Sequence, residues 1–173
     1  MSSSRTLLVA ATFAIFALSA SACGPVTIVP DPPTQGSYNL VFPNSSAAVV
    51  TEGVKIFVYD SAAPDINCDR LLAARRTGQT LPPALLESNT FGICDLLNNA
   101  QSTRMNVGYG KRTFLAVGFN KGADLLIGCN AGEVSPDATP VAISLGTVNI
   151  TRPLPPAKCA QLADVCSTPP RCQ

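Results

Sequence analysis

Cys23, Cys68, Cys94, Cys129, Cys159, Cys166 and Cys172 stand in a chain of 173 residues that contains no histidine. Structural zinc is held by four cysteines or a mixed cysteine–histidine set, typically with C-x2–4-C spacing. This sequence has no C-x-x-C and no histidine to complete such a set, so no metal is expected and the thiols point to disulfides. Disulfides persist only in oxidising compartments, and the N-terminus supplies a route to one. Arg5 is followed by an uncharged apolar run over residues 7–18 (LLVAATFAIFAL) and then by the small residues Ser19 to Ala22. These are the three parts of a secretory signal. The run falls short of the roughly 20 apolar residues that span hydrocarbon. Residues 1–22 are therefore expected to be a signal peptide and the mature chain to be exported.

The exit of that signal is specific. Ala20-Ser21-Ala22 leads straight into Cys23, and this resembles the lipobox of bacterial lipoproteins over residues 1–24. The family prefers Leu three places before the cysteine, where this chain has Ala20. The resemblance implies that the Cys23 thiol receives a diacylglycerol and that cleavage leaves it as the new N-terminus. An odd cysteine count in an exported chain leaves one thiol over; giving Cys23 to lipid leaves six for three disulfides. Cys68 and Cys94 bracket one insertion and are expected to pair. Cys129 would then take one tail cysteine, and the other two would pair together. Behind Cys23, Pro25, Pro30, Pro32 and Pro33 give residues 23–37 the character of an extended tether.

From Tyr38 to Thr151 the pattern is β. Residues 38–42 (YNLVF) form a short strand closed by Pro43. Val54, Ile56 and Val58 alternate with Lys55, Phe57 and Tyr59, a period of two with one aliphatic face. Alternation from Arg104 to Tyr109, then Gly110-Lys111, then residues 112–119 (RTFLAVGF) reads as a β-hairpin, with Val107, Phe114, Leu115 and Val117 in the core. Asn120-Lys121-Gly122-Ala123 is a second turn, and Val141, Ile143 and Leu145 open another alternating run. Strands punctuated by turns in this way suggest a sandwich or barrel. One segment departs: Asp65 and Asn67 precede Leu71 to Ala74, which predicts a single short helix near residues 67–76. Residues 152–173, rich in Pro and Cys, are too few for a core of their own.

The stretch VGYGKRTFLAVGF followed by IGC resembles small transthyretin-like or carboxypeptidase-regulatory-like domains, such as those of myxobacterial surface lipoproteins, over residues 38–150. The resemblance implies a mainly β, Ig-like or prealbumin-like antiparallel β-sandwich without catalytic residues. Four segments result: signal, tether, a β domain over residues 38–151, and a disulfide-stapled tail.

The chemistry the chain lacks is as informative. Without histidine, Ser-His-Asp and Cys-His machinery cannot be assembled. G-x-S-x-G, G-x-G-x-x-G and the P-loop pattern are missing, and Gly108-Tyr109-Gly110 reads as turn glycines. Asp65-Ile66-Asn67-Cys68-Asp69 opens like a calcium loop, but the sixth and twelfth places hold Arg70 and Arg76 where Gly and Glu are needed. Once Arg5 leaves with the signal, basic and acidic side chains number eleven each, so no basic face for nucleic acid is expected. Arg70, Arg75 and Arg76 read as a solvated face. Asn44-Ser45-Ser46 and Asn149-Ile150-Thr151 match a glycosylation pattern that is usually inert in a bacterial lipoprotein.

The expectation is thus a cell-envelope lipoprotein held at the outer membrane or cell surface, with the periplasmic side as the alternative, acting as a non-catalytic binding or structural module. It would need no cofactor; its partners would be the membrane, through the lipid, and an envelope protein. Two alternatives stand beside it. One is a small hydrolase using two converging carboxylates, about 5–5.5 Å apart for retention or about 6.5–9.5 Å for inversion. The other is a disulfide-rich protease inhibitor presenting residues 77–88 as a rigid loop.

Overall fold

The computed structural model describes residues 24–28, 38–98, 105–149 and 153–172. Signal residues 1–22, Cys23 and Arg104 lie outside these. The chain is mainly β. Its strands, in order, are β1 (Val26–Ile28), β2 (Tyr38–Phe42), β3 (Gly53–Asp60), β4 (Leu86–Glu87), β5 (Phe91–Gly92), β6 (Gly110–Asn120), β7 (Ala123–Val134), β8 (Val141–Ser144) and β9 (Gly146–Thr147). Four helices accompany them among the described residues: α1 (Ser45–Val50), α2 (Cys68–Arg76), α3 (Ile93–Leu97) and α4 (Leu162–Val165).

Two sheets result. The larger runs β4-β3-β6-β7-β9, with β5 also on β3; the smaller runs β1-β2-β8. The larger is antiparallel throughout, while β2 and β8 pair parallel. Their facing sides share one core. Val54, Ile56 and Val58 of β3, Phe114 and Ala116 of β6 and Leu126 of β7 meet Tyr38, Leu40, Phe42, Val141 and Ile143. The Tyr38 and Phe114 rings lie 6.4 Å apart across it.

The outer face of the large sheet is also covered. Phe57, Tyr59, Leu115, Val117 and Ile127 pack under Leu71 of α2, and Leu81 and Ala84 of the following loop close over them. The central strand β6 is consequently buried on both faces. This explains why residues 114–117 (FLAV) are a continuous apolar run rather than an alternation.

The two sheets meet at one broken strand. Residues 141–144 pair with β2, Leu145 N–H donates to Val41 O (2.8 Å), and residues 146–147 pair with β7. The crossing is close. A Cβ on Gly128 would lie 2.3 Å from the Ser144 carbonyl oxygen, and one on Gly132 2.7 Å from Val141 Cγ2.

Several expectations are corrected. The hairpin is not Arg104–Phe119: residues 105–109 form no strand, Gly110 and Lys111 lie inside β6, and the hairpin is β6–β7 about the turn at 120–123. Met105 and Val107 are buried in an irregular segment, which reproduced an alternating pattern without a ladder. Lys121 (φ 50°) and Gly122 (φ 74°) supply the left-handed backbone of the true turn. Residues 26–28, read as part of the tether, instead pair with residues 40–42 of β2.

The single predicted helix is α2, and its start at Asn67 holds. The other three arise where polar caps and cysteine-pinned loops fold back. Asn44 begins α1 by accepting a hydrogen bond from Ala47 N–H (2.8 Å), so the residue matching the glycosylation pattern is a helix cap. The tail is pinned by its cysteines, and Leu162 of α4 is buried in the main core.

The disulfide pairing differs in part: two tail cysteines do pair with each other, but the other two bonds are not those expected. Cys68 joins Cys129, Cys94 joins Cys166, and Cys159 joins Cys172. Cys68–Cys94 fails because the large sheet separates the two. Cys129 packs with the α2-side cluster, whereas Cys94 and Cys166 pack against the core between the sheets.

Candidate functional site

A bidentate ion pair and two clefts lie at the last turn of α2. Asn67 caps the helix by accepting from Arg70 N–H (2.9 Å), Asp69 sits in its first turn and Arg75 and Arg76 in its last. That order complements the helix dipole. The disulfide at Cys68 ties the first turn to the middle of β7. At the other end, Arg75 Nε and Nη2 donate to both oxygens of Asp124, at 2.6 and 2.9 Å, at the start of β7. The helix is thus fastened to one strand at both ends.

Two clefts flank the Arg75–Asp124 pair and share Asp124. The larger, of 460 Å³, is lined by Arg76, Asp124, Leu125, Val148, Pro153 and Leu154 among others. The smaller, of 230 Å³, is bordered by Lys55, Phe57, Arg75, Val117 and Phe119. Lys55 Nζ donates to Glu87 (2.8 Å) and stands 5.1 Å from the Phe57 ring centroid. Arg76 is exposed and has no ion-pair partner among the described residues. A third cleft, of 350 Å³, lies between α2 and residues 79–82, with Asp65 and Arg70 on its rim.

Chemically these clefts offer hydrogen-bond donors and apolar walls. The carboxylate bordering the first two is engaged on both oxygens by one guanidinium, which leaves it acting as an anchor for Arg75. Among the described residues no group of three or more His, Cys, Asp and Glu side chains gathers to hold a metal. The buried phenol of Tyr59 has no hydrogen-bond partner among the described residues. Its pKa is pushed up to about 12, first by burial and then by the Glu87 charge, with Arg75 acting in the opposite sense. A phenol in that state remains protonated in neutral solution.

The residues singled out in the sequence separate as follows. Arg70 pairs with Asp65, Arg75 with Asp124, and Arg76 faces the larger cleft. Among the described residues the arginine cluster is therefore two structural pairs and one unpaired cation rather than one patch. Asp65 and Asn67, the opening of the calcium-like motif, serve Arg70 and the α2 cap. Gly108 and Tyr109 offer their carbonyls to the Arg112 guanidinium, at 3.1 and 2.5 Å. Cys68, Cys94, Cys129, Cys159, Cys166 and Cys172 are all in disulfides, and Cys23 lies outside the described residues. Lys55 and Asp124 were not anticipated; the lone charge inside the β3 alternation was the available signal for Lys55. No family model, curated protein or solved structure matches the chain.

Proposed function

We propose that this chain is an exported envelope lipoprotein, anchored through Cys23, whose domain is a non-catalytic binding or structural module. The observation that carries the reading is the closed pairing of the other six cysteines. It leaves Cys23 alone with its small-residue exit, and three disulfides suit an oxidising compartment. One acyl chain binds membranes only marginally, and two signals are needed for stable anchoring. A diacylglycerol supplies two chains, so retention on a membrane follows.

Mass spectrometry of the mature N-terminus tests the anchor. A diacylglyceryl Cys23 is the expected species, and Cys23→Ala should move the protein from the membrane to the soluble fraction. An unmodified Cys23, or a start elsewhere, refutes it. The binding role draws support from the clefts around Asp124, which present donors and apolar walls around an already neutralised carboxylate. Incubation with envelope glycans should release no products; release abolished by Asp124→Asn would favour the hydrolase instead.

A further inference from the structure

We infer that the domain sits directly on the bilayer, with its α1 end against the headgroups. The inference rests on the lipid-anchor reading and adds the orientation that reading leaves open. Only Gly24 and Pro25 separate Cys23 from Val26, the first residue of β1. Three trans peptide steps cannot carry the anchor farther than about 11 Å from Val26. Val26 in turn is fixed in the fold, because β1 runs antiparallel to β2 with Val26 opposite Phe42. The chain therefore enters the domain at the C-terminal end of β2, where Pro43 and Asn44 lead into α1.

That end suits contact with a lipid surface. Residues 43–51 (PNSSAAVVT) carry no charge, and Pro43 and Ser46 are exposed on it. Two acidic groups border it, each with a partner. Glu52 accepts a hydrogen bond from Lys121 N–H (2.7 Å) and so draws that lysine's backbone to it, and on α4, which packs beside α1, Asp164 stands 3.8 Å from Arg171. The opposite end carries the 135–138 turn with exposed Asp137, just before Val141, whose partner is Tyr38. The four steps from Tyr38 to Phe42 place that turn farther out by about 13 Å of strand alone.

The chain has no tryptophan, so one introduced indole is a unique reporter. Ser46→Trp and Asp137→Trp are each prepared in the full acylated protein and bound to phosphatidylglycerol–phosphatidylethanolamine vesicles containing a lipid spin-labelled at the headgroup. Ser46→Trp should lose most of its emission while Asp137→Trp keeps its own; Pro43→Trp replaces Ser46→Trp if that variant fails to fold. Inserting a Gly/Ser linker of about ten residues after Gly24 adds a span of about 17 Å and should abolish the difference. A chain that stays on the vesicles but shows equal quenching at both positions overturns the seating alone. A chain that washes off, with Cys23 unmodified, overturns the anchor as well.

Discussion

At Gly128 the whole corner between the sheets depends on a missing methyl group. An added Cβ would meet the Ser144 carbonyl oxygen at 2.3 Å, and a backbone atom inside a ladder cannot swing away. At Gly132 the obstacle, at 2.7 Å, is a terminal methyl of Val141. Gly128→Ala should cost about 3 kcal/mol and Gly132→Ala about 1 kcal/mol, as overpacking against fixed and movable neighbours. Urea unfolding of the two variants should show that order. Tyr59 offers the reverse case. Its hydroxyl is buried without a partner among the described residues, so Tyr59→Phe removes an unsatisfied group and should leave the unfolding midpoint equal or higher. The folded pKa of about 12 lies above the unfolded value of 10.0. The neutral phenol's contribution is thus present below pH 10 and lost as pH rises from 10 to 12. Wild type should lose stability across that window more steeply than Tyr59→Phe, in matched melts.

The elements show what could be read in the sequence and what could not. α2 was legible because its signals are local: Asn67 caps, Asp69 follows, and Arg75 and Arg76 close the helix. β6 was legible as a strand but not in its setting. Its apolar run means burial on two faces, and only the packed fold reveals that α2 supplies the second cover. The Cys68–Cys129 bond was illegible because 61 residues separate its ends and nothing local records which face of β7 receives the helix. The cleft around Asp124 was illegible for the same reason, since Arg75 reaches it across 49 residues.

The two faces of β6 make a test. Ala116 points into the core between the sheets, opposite Ile56 and Gly128. Val117 lies on the other face, opposite Lys55 and on the cleft bordered by Arg75. Ala116→Asp buries a charge among apolar side chains and should cost several kcal/mol, of order 4 or more. Val117→Asp faces the cleft that holds Lys55 and Arg75, each already paired to a carboxylate, and should cost less because those cations can share the new charge. Equal thermal melting of the two would show that the faces are not electrostatically different.

For the whole molecule the decisive issue is whether the C-terminal segment belongs to the fold. Leu162 is buried with the residues of both sheets, Leu154 packs beside them, and α4 lies against α1 and α3. Cys94–Cys166 ties this segment to α3 across 72 residues, and Cys159–Cys172 closes a short loop of 13 within it. By chain entropy the long bond is worth about 4 kcal/mol and the short one about 3 kcal/mol. Cutting the chain after Arg152 removes the long bond, the buried leucine and the cover of α1 together. A small domain's net stability is about 5–15 kcal/mol, so the loss takes most of it. The truncated chain should fail to accumulate as a folded monomer, and the orphaned Cys94 should appear in intermolecular disulfides on non-reducing gels. Cys94→Ser/Cys166→Ser keeps the packing and should fold with a lowered midpoint. Cys159→Ser/Cys172→Ser should lower it less. If the truncated chain melts as the full chain does, residues 153–172 are an ornament on the sandwich; if the three variants rank as argued, they are part of its core.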